Sequence, residues 1–385
     1  MKIIDLVYFD AGGGHRAAAQ ALHDLARQQH RPWRVRLVNL VKVLDPQASF
    51  RRLTGFEPED YYNMRLRRGW TLGLAQELKL LQAMIRLGHA PTVRALSEHW
   101  QRSQPDVVVS LVPNFNRAMY QALKQARPGV PYATVMTDLA DHPPHFWIEP
   151  GQDQTLVCGS EKAVAQALAA GLPAQHVRAT SGMILRPAFY DSASGDREAL
   201  RRTLGLHSQT PAGIVMFGGH GSVQMLRIAK LLRDVPLIFV CGHNAALLAE
   251  LKALRRPAPH AAVGFVQDVA GLMRAADFFI GKPGPGSLSE AVHLGLPVLT
   301  FDNAFTMPQE RYNVQWVRDR GLGLAVPSVR ALRAATSELL GQLPAYRARV
   351  RALDNRAVFE VLDILQQLLD EATVRNTAAA DVQTG

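Results

Sequence analysis

The sequence predicts an α/β protein built from two Rossmann-like domains facing across a cleft. Three observations carry this. Short apolar runs suited to buried strands alternate with stretches at helical spacing, the pattern of a parallel sheet with crossover helices. Three of these runs end in glycine-rich turns that lead into a helix, at residues 10–16, 218–222 and 282–286. The series also occurs twice, on either side of a stretch containing Pro187. The predicted boundaries are 1–182 for the first domain, 183–195 for the linker and 196–354 for the second. A C-terminal helix at 355–372 is expected to pack back toward the first domain, followed by a disordered tail at 373–385.

The chain has 385 residues, enough for two domains, and its 48% hydrophobic and 20% charged residues are those of a soluble globular protein. No apolar run reaches the roughly 18 residues of a membrane span. The N-terminus opens directly on an apolar strand, so no secretory signal is expected. Cys158 and Cys241 are expected as buried thiols, in keeping with the cytoplasm. Net charge is +10, and the first 102 residues hold 16 Lys/Arg against 9 Asp/Glu. That excess suits an anionic surface or substrate. No nucleic-acid motif accompanies it, so nucleic acid is not expected as a partner.

In chain order, 3–9 is the first strand. Asp10-Ala11-Gly12-Gly13-Gly14-His15-Arg16 follows and opens a helix with Ala17, Ala21, Leu22 and Leu25 on one face. The spacing fits neither a Walker loop nor the dinucleotide fingerprint. It presents His15 at a helix N-terminus, where the positive dipole end lowers a histidine's pKa and keeps it neutral. The alternative is a histidine that merely caps its own turn. Residues 34–40 are the next strand. Residues 45–70 are irregular, and an apolar helix then runs from Leu72 to a break near Gly88. Arg65, Arg67, Arg68 and Trp70 precede it, a basic, aromatic and leucine-rich composition that predicts contact with a membrane surface. The competing reading is a core helix with a solvated basic face.

Strands at 106–111 and 132–136 come next. The second ends in Thr137-Asp138-Leu139-Ala140-Asp141-His142-Pro143-Pro144-His145-Phe146-Trp147, at the sheet edge where ligands of open α/β folds sit. Its Asp and His spacing matches no metal-ligand pattern. Strands at 155–158 and 177–180 complete the first half. In the second half, strands are expected at 213–217, 237–240, 262–266, 278–280 and 297–301, and helix through 328–372.

Residues 278–290 organise the chain. Phe278-Phe279-Ile280 is a buried strand, and Lys282-Pro283-Gly284-Pro285-Gly286 excludes helix and strand alike. A helix starts at Ser287. Strand, turn and helix start aim backbone N–H groups and a positive dipole end at one point, which favours phosphate. Glu290, one turn in, repels phosphate but suits the paired hydroxyls of a ribose. The stretch points to a nucleoside diphosphate; a glycine turn kept only for packing is the alternative.

These motifs resemble the monogalactosyldiacylglycerol synthases and processive diacylglycerol glycosyltransferases. Residues 10–16 (DAGGGHR), 137–147 (TDLADHPPHFW), 240–244 (VCGHN), 264–266 (GFV) and 280–290 (IGKPGPGSLSE) occur in family order, and the similarity spans roughly residues 1–330. The family consists of inverting GT-B enzymes, so the resemblance implies a GT-B fold and a UDP-sugar donor. By the resemblance, Gly284, Pro285, Gly286, Ser287 and Glu290 hold the pyrophosphate and ribose. Gly264, Phe265 and Val266 read uracil, and Gly219 and His220 lie near the phosphates. Gln309 and Glu310 contact the sugar. Gly13, Gly14, His142 and Trp147, with Arg65, Arg67, Arg68 and Trp70, serve the acceptor and the membrane. The loop at 304–308 departs from the galactolipid enzymes and leaves the sugar open.

The expected reaction is inverting transfer of a hexose from a UDP-sugar to a lipid hydroxyl such as that of diacylglycerol. It would take place peripherally, on the inner face of the membrane. His15 is the expected base, because histidine titrates nearer working pH than a carboxylate, with Asp138 as alternative or orienter. No cofactor is expected. No Asp-x-Asp motif appears, so no metal is called for. The rival readings are a UDP-sugar transferase with a non-lipid acceptor, a UDP-sugar epimerase of the same architecture, and a non-catalytic nucleotide- or lipid-binding protein.

Overall fold

A computed structural model of the chain describes residues 1–10, 13–47, 51–52, 74–191 and 196–384. It resolves into two units. The first runs from the N-terminus to Pro187 and takes back the chain from Arg356; the second spans Ala188–Asn355. Arg65, Arg67, Arg68 and Trp70 lie outside the described residues.

The first unit is built on a parallel sheet of β1 (Lys2–Tyr8), β2 (Trp33–Asn39), β3 (Val107–Ser110), β4 (Tyr132–Val135), β5 (Thr155–Cys158) and β6 (Val177–Ala179), in the order β2-β1-β3-β4-β5-β6. The second holds β7 (Gly213–Met216), β8 (Leu237–Val240), β9 (His260–Val263), β10 (Phe278–Gly281), β11 (Val298–Phe301) and β12 (Gly323–Val326), in the order β12-β11-β10-β7-β8-β9. Both sheets are parallel throughout. Helices cover their faces, which is why most strands read as continuous apolar runs. The helices that matter below are α1 (Gly14–Gln28), α2 (Leu74–Leu87), α3 (Asn116–Ala126), α4 (Gln224–Leu231), α5 (Ala245–Ala253), α6 (Pro285–His293), α7 (Arg311–Asp319) and α8 (Ala357–Thr384).

Strand order fixes where ligands go. In each sheet the order reverses at one point, between β1 and β3 in the first unit and between β7 and β10 in the second. Ligands of such folds bind outside the carboxyl ends of the strands at that reversal. The turn before His15 follows β1, the glycine turn at 218–221 follows β7, and Lys282–Gly286 follows β10.

Three expectations need correction. The strand expected at 262–266 ends at Val263, and Gly264 to Val266 form its exit loop. β12 has no counterpart in the sequence reading. It is a short edge strand opening on Gly323, where a Cβ would stand 1.8 Å from the Val298 carbonyl oxygen, so close pairing demands glycine. The helical region at 328–372 is broken at 352–356, and its last part, α8, runs on to Thr384. The stretch expected as a disordered tail is therefore helical, in line with three consecutive alanines at 378–380. α8 packs on α1, and Arg31 ties it down through Asp363 at 2.6 Å.

α2 ends at Gly88 and exposes Leu81 (42%), Met84 (53%) and Leu87 (87%), an apolar surface unusual for a helix beside a core. Among the described residues, no helix is long and apolar enough to cross a membrane.

Candidate active site

The first unit gathers its polar side chains at the reversal of its sheet. Gly13 adopts φ +80°, which lets the chain turn from β1 into α1 and puts His15 in the first helical turn. The His15 ring is half-buried, and its Nδ1 lies 2.9 Å from the Thr137 hydroxyl at the end of β4. A hydrogen bond with the Leu111 backbone, past the end of β3, favours the charged ring. Burial outweighs it and lowers the His15 pKa to about 4. The ring is neutral at working pH, as expected, but by desolvation. The argument that preferred His15 over a carboxylate on basicity no longer holds.

Asp138 is buried and accepts the Trp147 indole N–H at 2.9 Å. Trp147 has no exposed surface and sits 6.0 Å, ring to ring, from His15. It was expected among the acceptor- and membrane-facing residues. It lies beneath His15 instead and joins the two candidate bases. Asp141 shapes the loop by accepting the backbone N–H groups of His145 (2.9 Å) and Trp147 (2.6 Å), and burial raises its pKa. Asn116, at the start of α3, donates to the Trp147 carbonyl at 3.2 Å. His142 is half-buried on the same loop, and Gly13 and Gly14 are exposed.

The low His15 pKa has a consequence for stability. Native His15 stays neutral down to pH of about 4, while the unfolded ring binds a proton below about 6.5. Between those values the unfolded state holds more protons, so stability falls as pH drops through the window, by on the order of 2–3 kcal/mol in all. Urea midpoints at pH 7 and pH 4.5 are expected to drop less in His15→Gln than in the wild type. Equal drops would refute the buried neutral ring.

The second unit has glycine-containing turns after three of its strands, at 218–221 after β7, 241–244 after β8 and 282–286 after β10. Gly242, at φ +57°, packs so tightly on Gly219 that a Cβ there would lie 2.0 Å from the Gly219 carbonyl oxygen. His243 N–H donates to that oxygen at 2.9 Å. Asn244 caps α5 through the Leu247 N–H and reaches the His220 carbonyl at 3.3 Å. The two turns at 218–221 and 241–244 thus form one unit. Phe265 is 62% exposed and stacks on the His243 ring at 4.3 Å, so a flat aromatic surface borders Gly264 and Val266.

α6 begins at Gly284 with Pro285 in its first position and no side-chain cap. The first-turn N–H groups of Gly286 and Ser287 have no place in the helix ladder and carry the positive end of the dipole. A side chain at 286 would meet nothing within 4 Å, so backbone approach is open there. Glu290 is half-buried one turn further on. Below the turn, Lys282 pairs with Glu310 at 2.8 Å. Glu310, expected at the sugar, is 4% exposed and shares its carboxylate with this ammonium. Gln309 is half-buried and its amide lies 3.7 Å from the Met307 sulfur. Asn313 on α7 is fully buried and donates to the Pro283 carbonyl at 2.7 Å, which pins the turn.

Sequence reasoning missed Thr137, Lys282 and Asn313 as site residues. Thr137 and Lys282 stood inside the quoted motifs, and a polar residue directly after a strand was a signal to use. Asn313 gave none, being 30 residues from its partner. Among the described residues, no three His, Cys, Asp or Glu side chains group to hold a metal ion.

The family described as monogalactosyldiacylglycerol (MGDG) synthase matches residues 15–183, which hold His15, Thr137, Asp138 and Trp147. The chain is 26% identical over 399 residues to monogalactosyldiacylglycerol synthase 1, chloroplastic, of Arabidopsis thaliana, covering 96% of this chain and 71% of that one. Among solved structures it resembles the glycosyltransferase SnogD from Streptomyces nogalater, with TM-score 0.62, 16% identity, and 96% and 100% of the two chains covered. The UDP-GlcNAc 2-epimerase from Neisseria meningitidis has the same fold, with TM-score 0.56, 14% identity, and 95% and 100% covered. The fold does not separate transferase from epimerase; the sequence kinship does. The chain is a UDP-sugar-dependent glycosyltransferase of GT-B architecture, related along most of its length to the monogalactosyldiacylglycerol synthases.

Proposed function

We propose that this enzyme transfers a hexose from a UDP-sugar to diacylglycerol, with inversion, while docked on the inner face of a membrane. The observation that carries the reading is the joined pair of candidate bases at the β1–β3 reversal, within the region matched by the synthase family. The donor's diphosphate sits against the start of α6, with Ser287 at the phosphates, Glu290 at the ribose and Gln309 and Glu310 at the sugar. Gly219 and His220 flank the phosphates, and uracil lies along Gly264–Val266.

In the reaction the bond from the anomeric carbon to the phosphate oxygen breaks, and its electron pair leaves with UDP. The acceptor oxygen bonds to that carbon from the opposite face, and its proton passes to the neutral His15 ring. An oxygen already bonding to the anomeric carbon is oxonium-like and strongly acidic, so a base of pKa about 4 suffices when the proton leaves late. The α6 dipole and backbone N–H groups stabilise the charge growing on UDP. The exposed Leu81, Met84 and Leu87 enter the bilayer. Arg65, Arg67, Arg68 and Arg86, together with Trp70, serve anionic headgroups, each cation contributing about 1 kcal/mol.

The test is UDP release from UDP-galactose, UDP-glucose, UDP-GlcNAc and UDP-glucuronate, with and without diacylglycerol in anionic vesicles. Release that requires the lipid supports the reading and names the donor. Release without any acceptor points to hydrolysis or epimerisation, and no binding of any UDP-sugar refutes the donor assignments.

A further inference from the structure

α2 carries two different faces. Leu81, Met84 and Leu87 are exposed, while Gln82 is half-buried and its side-chain amide donates to the Asn114 side-chain oxygen at 3.1 Å. Asn114 lies in the loop between β3 and α3 and adopts φ +66°, a left-handed conformation that asparagine tolerates better than most residues. Its backbone N–H donates to the Phe146 carbonyl at 2.6 Å. Phe146 precedes Trp147, whose indole holds Asp138 and whose ring packs beside His15. Asn114 therefore connects the exposed apolar helix, through its side chain, to the loop that carries Asp138 and packs beside His15, through its backbone. Nothing in the proposed chemistry uses it.

We propose that Asn114 is a positioning residue that links the seating of α2 on a lipid surface to the placement of Trp147 and Asp138. The inference rests on the membrane reading above. A bilayer that buries Leu81, Met84 and Leu87 holds α2 in one place. Through Gln82 and Asn114 it also holds the 137–147 loop, so the cost of ordering that loop is met by lipid binding before the acceptor enters. The expected result is a higher kcat on membrane-presented acceptor, carried by this hydrogen bond.

The experiment compares diacylglycerol in anionic vesicles with a short-chain diacylglycerol kept below its aggregation concentration. Gln82→Met removes the donor at similar volume. Asn114→Gly removes the acceptor and keeps the left-handed backbone, and Asn114→Asp keeps both. On vesicles, Gln82→Met and Asn114→Gly are expected to lower kcat about three- to tenfold, with the double variant no worse than either single one. Asn114→Asp is expected to stay within about twofold of wild type. With the short-chain acceptor all variants match wild type, and all co-sediment with vesicles. Equal losses on both acceptors, losses that multiply in the double variant, or no loss at all would overturn the proposal. A wild type that neither sediments with vesicles nor distinguishes the two acceptors refutes the membrane reading, and this inference with it. A wild type that does both while the variants behave like it refutes this inference alone.

Discussion

His15→Ala is expected to lower kcat by about 10²–10⁴-fold, the range for removal of a general base. UDP affinity should change little, because the turns proposed to hold the donor lie in the other unit and are built from their own residues. The ring is placed by Gly13, Thr137 and Leu111 and packed beside Trp147, so it is fixed before an acceptor arrives. With a native pKa of about 4, its loss should remove activity evenly from pH 6 to 8 instead of reshaping the profile there. Asp138→Asn gives the contrast. If Asp138 only orients Trp147, the amide keeps an oxygen for the indole N–H, and activity falls far less than in His15→Ala. If the order of effects is reversed, Asp138 is the base and His15 its neighbour. Steady-state kinetics and UDP calorimetry on the two variants decide between them.

Asp277→Ala is expected to destabilise the second unit by about 3–5 kcal/mol, the usual result of removing one partner from a buried ion pair. Asp277, just before β10, accepts Arg197 at 2.8 Å, Arg201 at 3.0 Å, Arg347 and the Ala212 N–H. Arg201 is 1% exposed, and its other N–H groups go to the carbonyls of His207, Thr210 and Ala275. Without Asp277 its charge stays buried with no anion. Arg197 and Arg347 are more exposed and lose less. For a unit of this size the melting temperature should drop by about 10 °C, read by calorimetry. Asp277→Leu combined with Arg201→Met should recover part of the loss, since it removes the fully buried Arg201 charge and leaves only the more exposed Arg197 and Arg347 without this partner. A variant that melts like wild type would mean that the cluster is solvated in practice.

The glycine turns were legible in the sequence because their chemistry is local. A positive φ, a proline at a helix start and an apolar run before them stand within a few residues of one another, and all three places at the sheet reversals follow. What depended on distance was not legible. Asp277 and Arg201 are 76 residues apart, and Asn313 meets Pro283 across 30. β12 was missed because glycines give a short edge strand no β signature. Trp147 was placed with the acceptor and membrane residues by resemblance, since nothing in a loop sequence tells that its indole N–H is taken by Asp138. The pKa of His15 was right in direction from the helix dipole, but its size came from burial, which the motif does not encode.

The return of α8 to the first unit bears on how the protein is made. Among the described residues the second unit is one stretch, Ala188–Asn355, with its whole sheet inside it. The first is interrupted: α1 awaits a covering helix that leaves the ribosome after the whole second unit, and Ser181 awaits Glu360, which accepts its backbone N–H at 2.7 Å. The second unit is thus able to complete itself during synthesis, whereas the unit that holds His15 closes only after the second has emerged. A nascent chain arrested before residue 356 would carry a finished second sheet and an open first one, so on the proposed assignment of sites the donor would find its place before the candidate bases find theirs.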